Sequence, residues 1–168
     1  MASFVVHGPF EITYENCKGG RSLVFDDFWS KSADVNSLAE EKGCYVFAIR
    51  SGRGFTPVYV GKATKSFKQE IFNAANCNKY HDGFKEYAKG MPLIYFVVHP
   101  AQRGPTSYKE IREIENFLIQ AGVTKNPKLQ NLRGTQKPRW SIKGVIRSGP
   151  GKRSEVEVQF VSLFDIRV

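Results

Sequence analysis

Within residues 43–63, GCYVFAIRSGRGFTPVYVGKA, Tyr45 and Tyr59 each stand within two residues of a glycine and flank a basic, glycine-rich loop carrying Arg50 and Arg53. Lys62 follows the second glycine directly. Phenol hydroxyls and an ammonium are groups that exchange protons and hydrogen-bond anions. Far along the chain, Glu115 occupies the helical row Ile111, Glu115, Ile119, so a carboxylate interrupts an apolar edge. Such a conflict between pattern and residue type is expected at functional sites. The anion is suggested by charge: from Asn116 to Ser154 there is no Asp or Glu, while Lys125, Lys128, Arg133, Lys137, Arg139, Lys143, Arg147, Lys152 and Arg153 carry the equivalent of the whole net +9. Clustered cations are rewarded when phosphates are neutralised and counterions released, so the segregation points to nucleic acid rather than to a merely solvated basic surface.

The elements that must hold these residues follow from their periodicity. CYVFAIR and TPVYVGK are rich in β-branched and aromatic residues and predict a hairpin around SGRGF. KSFKQEIFNAAN and HDGFKEYAKG predict two short helices, and MPLIYFVVHP a further strand. Thr106 or Ser107 caps a helix over Lys109–Ala121 that stops at Gly122, with Ile111, Ile114, Phe117, Leu118 and Ala121 as its buried arc. The N-terminal alternation through Phe4, Val6, Ile12 and Tyr14 predicts β structure, and DDFWSKSADVNSLAEEKG a turn and short helix. RWSIKGVIRS and SEVEVQFVSLFDIRV predict a terminal β-hairpin, in which Trp140 is either a core residue or a base-stacking one.

The 168 residues suit one compact domain. No run of about 18 apolar residues is present to span a membrane, and the N-terminus lacks the pattern of a signal peptide, so cytoplasmic residence is expected. Cys17, Cys44 and Cys77 have no CxxC spacing, which argues against a zinc ribbon or a disulfide framework.

The order hairpin, helix, short helix, strand, long helix with one inward acid and then NPKLQN resembles the GIY-YIG nuclease superfamily over residues 43–132. The triplets stand as Gly43-Cys44-Tyr45 and Tyr59-Val60-Gly61, the signature helix as EIENFLI, and Asn131 at the expected late asparagine. VYVGKA is similar to the version in repair and restriction nucleases. The resemblance implies an α/β fold with a small, largely antiparallel three-stranded central sheet flanked by helices. To this core, residues 1–42 add a β/helix extension and residues 133–168 a basic β-hairpin, all within a single domain.

It further implies an endonuclease of restriction, defence or repair type that hydrolyses phosphodiesters, of DNA rather than RNA, with a single Mg²⁺ or Mn²⁺. Tyr45 is then the general base, Tyr59 positions water or phosphate, Lys62 shapes that network, Glu115 binds the metal and Asn131 holds the geometry or contacts phosphate. A phenol of ordinary pKa about 10 needs that value lowered to act as a base, and Lys62 and the metal are the expected source. Arg50, Arg53, Lys125, Lys128, Arg133, Lys137, Arg139, Lys143 and Arg147 are the expected nucleic-acid contacts.

The chain departs from the family in the helix after the second triplet, where Gln69 or Glu70 replaces an arginine that serves the transition state. Lys68 and the loop residue Arg53 are the expected substitutes for it, and His81 or Tyr80 for a His or Tyr that the family carries one turn later. An alternative follows: a catalytically degenerate domain that binds nucleic acid or a nucleoprotein without cleaving.

Overall fold

The structure, a computed structural model, describes residues 3–99, 107–135, 142–143, 145 and 151–163. The chain divides into two compact units, Met1–Thr135 and Gln136–Val168. The first contains β1 (Val5–Glu11), β2 (Thr13–Cys17), β3 (Gly20–Val24), a 3-10 turn (Phe28–Ser30), α1 (Ala33–Ser37), β4 (Gly43–Ser51), β5 (Gly54–Ala63), α2 (Phe67–Glu70), α3 (Ala74–Lys85), β6 (Met91–Val98) and α4 (Tyr108–Lys125). In the second, α5 covers Glu155–Leu163. Among the described residues no helix is long and apolar enough to cross a membrane.

The main sheet has four antiparallel strands in the order β1-β6-β4-β5, and β2 pairs β3 in a separate two-stranded sheet. The main sheet has four strands where three were expected, because β1 pairs with β6 from Val5↔Val98 to Glu11↔Leu93. β4 lies between β5 and β6 and is covered on both faces, hence its nearly unbroken apolar sequence. Side chains alternate across it. Tyr45, Phe47 and Ile49 enter the larger core with Phe28, Phe67, Tyr80 and Phe96, while Val46 faces a smaller core of Val60, Ile119, Val123 and Leu129 beneath α4.

The β4–β5 hairpin turns through Gly52, whose φ of +60° a glycine adopts without strain. In its register Phe47 faces Tyr59 and Ala48 faces Pro57, leaving Val58 as a bulge. A bulge re-aims the side chains beside it, here Tyr59.

Three expectations are corrected. The two helices expected over residues 65–76 and 81–90 are divided differently: α2 stops after one turn, and α3 runs from Ala74 through His81 to Lys85. Asn73 makes the break: its Oδ1 accepts from the Asn76 N–H at 3.0 Å and its Nδ2 donates to the Glu70 carbonyl at 2.8 Å.

The long helix does not stop at Gly122. It runs to Lys125 with Ile111, Ile119, Gly122 and Val123 buried, while Phe117 is 71% exposed. Gly122 packs against Leu129, whose side chain a Cβ there would approach to 3.2 Å. The inward row is therefore the one containing Glu115. Ser107, one of the two expected caps, does accept from the Glu110 N–H at 3.3 Å.

The third correction concerns SEVEVQFVSLFDIRV, expected as a strand but helical over Glu155–Leu163. Its alternating Val156, Val158 and Phe160 gain little from their period, being 73%, 52% and 40% exposed. Local hydrogen bonding decides instead. Ser154 Oγ accepts from the Glu157 N–H and Glu157 Oε2 accepts from the Ser154 N–H, a reciprocal capping box. The partner strand expected over Arg139–Ser148 lies largely outside the described residues.

Candidate active site

A cleft of about 600 Å³ opens at the outer edge of β5, lined by Tyr59 and Lys62 of β5, Lys79 of α3, Arg112, Glu115, Asn116 and Ile119 of α4, and residues 131–134. β5 is an edge strand, and the loop after α4 satisfies backbone groups of Pro57, Val58 and Val60. Asn126 Nδ2 donates to the Pro57 carbonyl at 2.8 Å and the Gln130 N–H to the Val58 carbonyl at 2.8 Å. Asn131 behaves like the residue of a neighbouring strand: the Val60 N–H donates to its Oδ1 at 3.0 Å, and its Nδ2 donates to the Val60 carbonyl at 2.7 Å. Asn131 is therefore committed to holding the cleft's wall in register.

The two tyrosine–glycine pairs have a steric origin. Tyr45 pairs with Gly61 across the hairpin, and a Cβ at Gly61 would overlap the Tyr45 ring. Gly43 has a φ of +148° and packs so closely on the Val97 carbonyl that a side chain is excluded. With that clearance Tyr45 lies flat and almost fully buried, its ring 6.3 Å from that of Tyr59.

Asn76 joins the two hydroxyls. Its Nδ2 donates to the Glu70 carbonyl at 2.9 Å and to Tyr45 Oη at 2.8 Å. A carbonyl can only accept, so this fixes the amide orientation and turns Oδ1 toward Tyr59, whose hydroxyl donates to it at 3.2 Å. Lys79 Nζ donates to Tyr59 Oη at 3.3 Å and lies 4.6 Å from the centre of its ring.

On α4, Glu115 Oε2 meets Lys62 Nζ at 2.5 Å, with side-chain exposures of 15% and 38%. The cleft thus sets Lys62, Lys79, Arg112 and Arg133 against the single carboxylate of Glu115, a field suited to an anion.

Burial, and then the neighbouring Tyr59, pushes the Tyr45 phenol well above its ordinary value. The lowering that a tyrosine base requires is thus not produced at Tyr45. Lys62, its expected source, is turned to Glu115. Burial likewise raises Tyr80, and it pushes the Cys44 thiol up to about 12, with Glu115 adding to the effect.

The other expected residues are dispersed. Lys68 borders a depression with Asp26 and Trp29, and His81 another with Cys17 and Arg21. His81 Nδ1 accepts from the Leu23 N–H at 3.5 Å, and burial lowers its pKa, with Lys85 adding to the effect. Arg53 sits at the hairpin tip, and Arg50 contacts Glu11 at 3.7 Å and Met91 Sδ at 3.0 Å. None of these four lines the cleft.

Of the basic segment, Arg133 lines the cleft, Lys125 is exposed in the last turn of α4, and Lys128 is paired with Glu86 at 2.6 Å. Lys143 is exposed in the second unit, and Lys137, Arg139, Trp140 and Arg147 lie outside the described residues. Reading the sequence missed Asn76, Lys79 and Arg112. The signal for the first two was Asn73, whose capping starts a new helix and fixes which of its residues turn inward.

A divalent cation has one candidate protein ligand here, Glu115, whose carboxylate opens on the cleft. Among the described residues no three His, Cys, Asp or Glu side chains gather around a common point. The donor set fits Mg²⁺, which keeps several waters and is commonly held by one or two carboxylates together with substrate phosphate. Comparison with known proteins gives no matching family model, no matching curated protein and no matching solved structure.

Proposed function

We propose that the cleft binds a nucleic-acid phosphodiester, of DNA in preference to RNA, and hydrolyses it with a divalent cation, in the manner of the GIY-YIG nucleases that the sequence resembles. The observation that carries this reading is convergence. Tyr59, Lys62, Glu115 and Asn131, separated by up to seventy-odd residues of chain, meet on one cleft with an excess of cations. The antiparallel run β5-β4-β6 backed by α4 supports the same reading.

In it, Lys62, Arg112 and Arg133 hold the phosphate. Tyr59, the tyrosine that lines the cleft, directs the attacking water, with Tyr45 steadying it through Asn76. Glu115 would hold the cation, which would supply Lewis-acid polarisation of the phosphate and stabilise the leaving oxygen. Before that, Glu115 is released from Lys62, whose ammonium turns to the phosphate.

The test is nicking of supercoiled DNA in Mg²⁺ or Mn²⁺. Wild type nicks, Glu115→Ala loses about 100-fold or more, and Tyr59→Phe falls by a comparable factor. Equal nicking by all three proteins overturns the reading.

A second reading, binding without cleavage, is favoured by the raised Tyr45 pKa and by the short Lys62–Glu115 contact that occupies the carboxylate. Its outcome is distinct: DNA binding that weakens steeply with salt and yields no nicks.

A further inference from the structure

We infer that Lys79 is a further phosphate-directed cation of the cleft, beside Lys62, Arg112 and Arg133, and supplies from α3 the positive charge for which that helix carries no arginine. The inference rests on the phosphodiester reading above. Lys79 follows Asn76 by three residues on α3, so the two lie on one face, and the ammonium reaches the same hydroxyl that Asn76 anchors.

Hydrogen-bond accounting makes the arrangement directional. The Tyr59 hydroxyl gives its proton to Asn76 and accepts from Lys79, leaving one lone pair for the cleft. The ammonium has three N–H groups, and with one on Tyr59 two remain for phosphate oxygens.

The charge itself is also free to act. Among the described residues no carboxylate is ion-paired with Lys79, whereas Lys62 is engaged by Glu115 and Lys128 by Glu86. Lys79 is half-buried, and a partly buried charge is screened less by salt than an exposed one. Lys68, His81 and Arg53, the substitutes expected from sequence, are outside the cleft. A lysine in place of an arginine presents a point charge instead of a bidentate fork. Resting the ammonium on Tyr59 compensates by fixing where that point sits.

The experiment compares wild type, Lys79→Ala, Lys79→Arg and Lys18→Ala, the last an exposed turn lysine far from the cleft in sequence. Affinity for a fluorescein-labelled DNA duplex is measured across a salt series, and nicking of supercoiled DNA is measured in Mg²⁺. Lys79→Ala is expected to flatten the slope of log affinity against log salt by about 0.9, the value of one lost phosphate contact. Its nicking is expected to fall about 100-fold. Lys79→Arg restores the slope and most of the nicking, and Lys18→Ala matches wild type.

A Lys79→Ala protein that is less heat-stable but keeps the wild-type slope shows a structural lysine and overturns the inference. Unchanged slope and nicking in Lys79→Ala, with an active wild type, also overturn it and leave the phosphodiester reading standing. A wild type that neither binds nor nicks removes that reading, and the role of Lys79 with it. If wild type binds without nicking, the slope alone decides.

Discussion

Tyr45 and Gly61 form a single packing unit, with the phenol ring in the space that a side chain on the opposite strand would fill. Gly61→Ala is expected to destabilise the protein by about 1–3 kcal/mol through overpacking, measured as a lower urea midpoint. Tyr45→Phe removes an acceptor from the buried Asn76 amide and is expected to cost about 1 kcal/mol. A Gly61→Ala midpoint equal to wild type would mean that the ring does not occupy that space. The residue types at this scale were legible in the sequence, since a tyrosine two residues from a glycine, twice over, marked the hairpin. Their reason was not, because a close approach between strands depends on register. Asn76 illustrates the limit: a short amide in a polar stretch carries no pattern, and only the bend at Asn73 gives it two tyrosines to hold.

Among elements, the orientation of α4 decides whether Glu115 faces the cleft. Apolar weight alone placed Phe117 inside, because Glu115 and Gly122 dilute the row that the fold actually buries. The consequence is measurable by chemical denaturation. Phe117→Ser is expected to change stability by less than about 0.5 kcal/mol, and Ile119→Ala to cost about 2–4 kcal/mol. The reverse order would turn the helix back to its sequence-derived face. The loop after α4 is tested by Asn131→Ala, which leaves the Val60 N–H and carbonyl without their partner and is expected to cost about 1–3 kcal/mol. Asn131→Asp does not rescue it, because a carboxylate sets an oxygen against the Val60 carbonyl. The hairpin, the later strand and the long helix were all readable from period and punctuation. The α5 error came from trusting alternation over the Ser154–Glu157 capping pair.

For the whole molecule, three buried groups set the alkaline limit. Tyr45, Tyr80 and Cys44 have raised pKa values in the fold, so the unfolded chain ionises first, the thiol near 9.0 and the phenols near 10.0. Their contribution is fully present below about pH 9 and is lost as pH rises, because the unfolded state then binds fewer protons than the folded one. The urea midpoint is expected to fall between pH 8 and pH 10.5, and to fall less steeply in Tyr45→Phe. A midpoint constant over that range would contradict the burial of these groups. Charge segregation was visible in the sequence at this scale, yet only Arg133 of the basic segment lines the cleft among the described residues, because linear clustering does not specify a common face. The edge of β5 has one more consequence. Between Pro57 and Val60 the loop meets the strand mostly through side-chain amides, with one backbone N–H from Gln130, and so fills hydrogen-bonding positions while offering little fresh strand edge beyond them. Along that stretch the loop that shapes the cleft also occupies backbone positions with which a strand of another copy would pair.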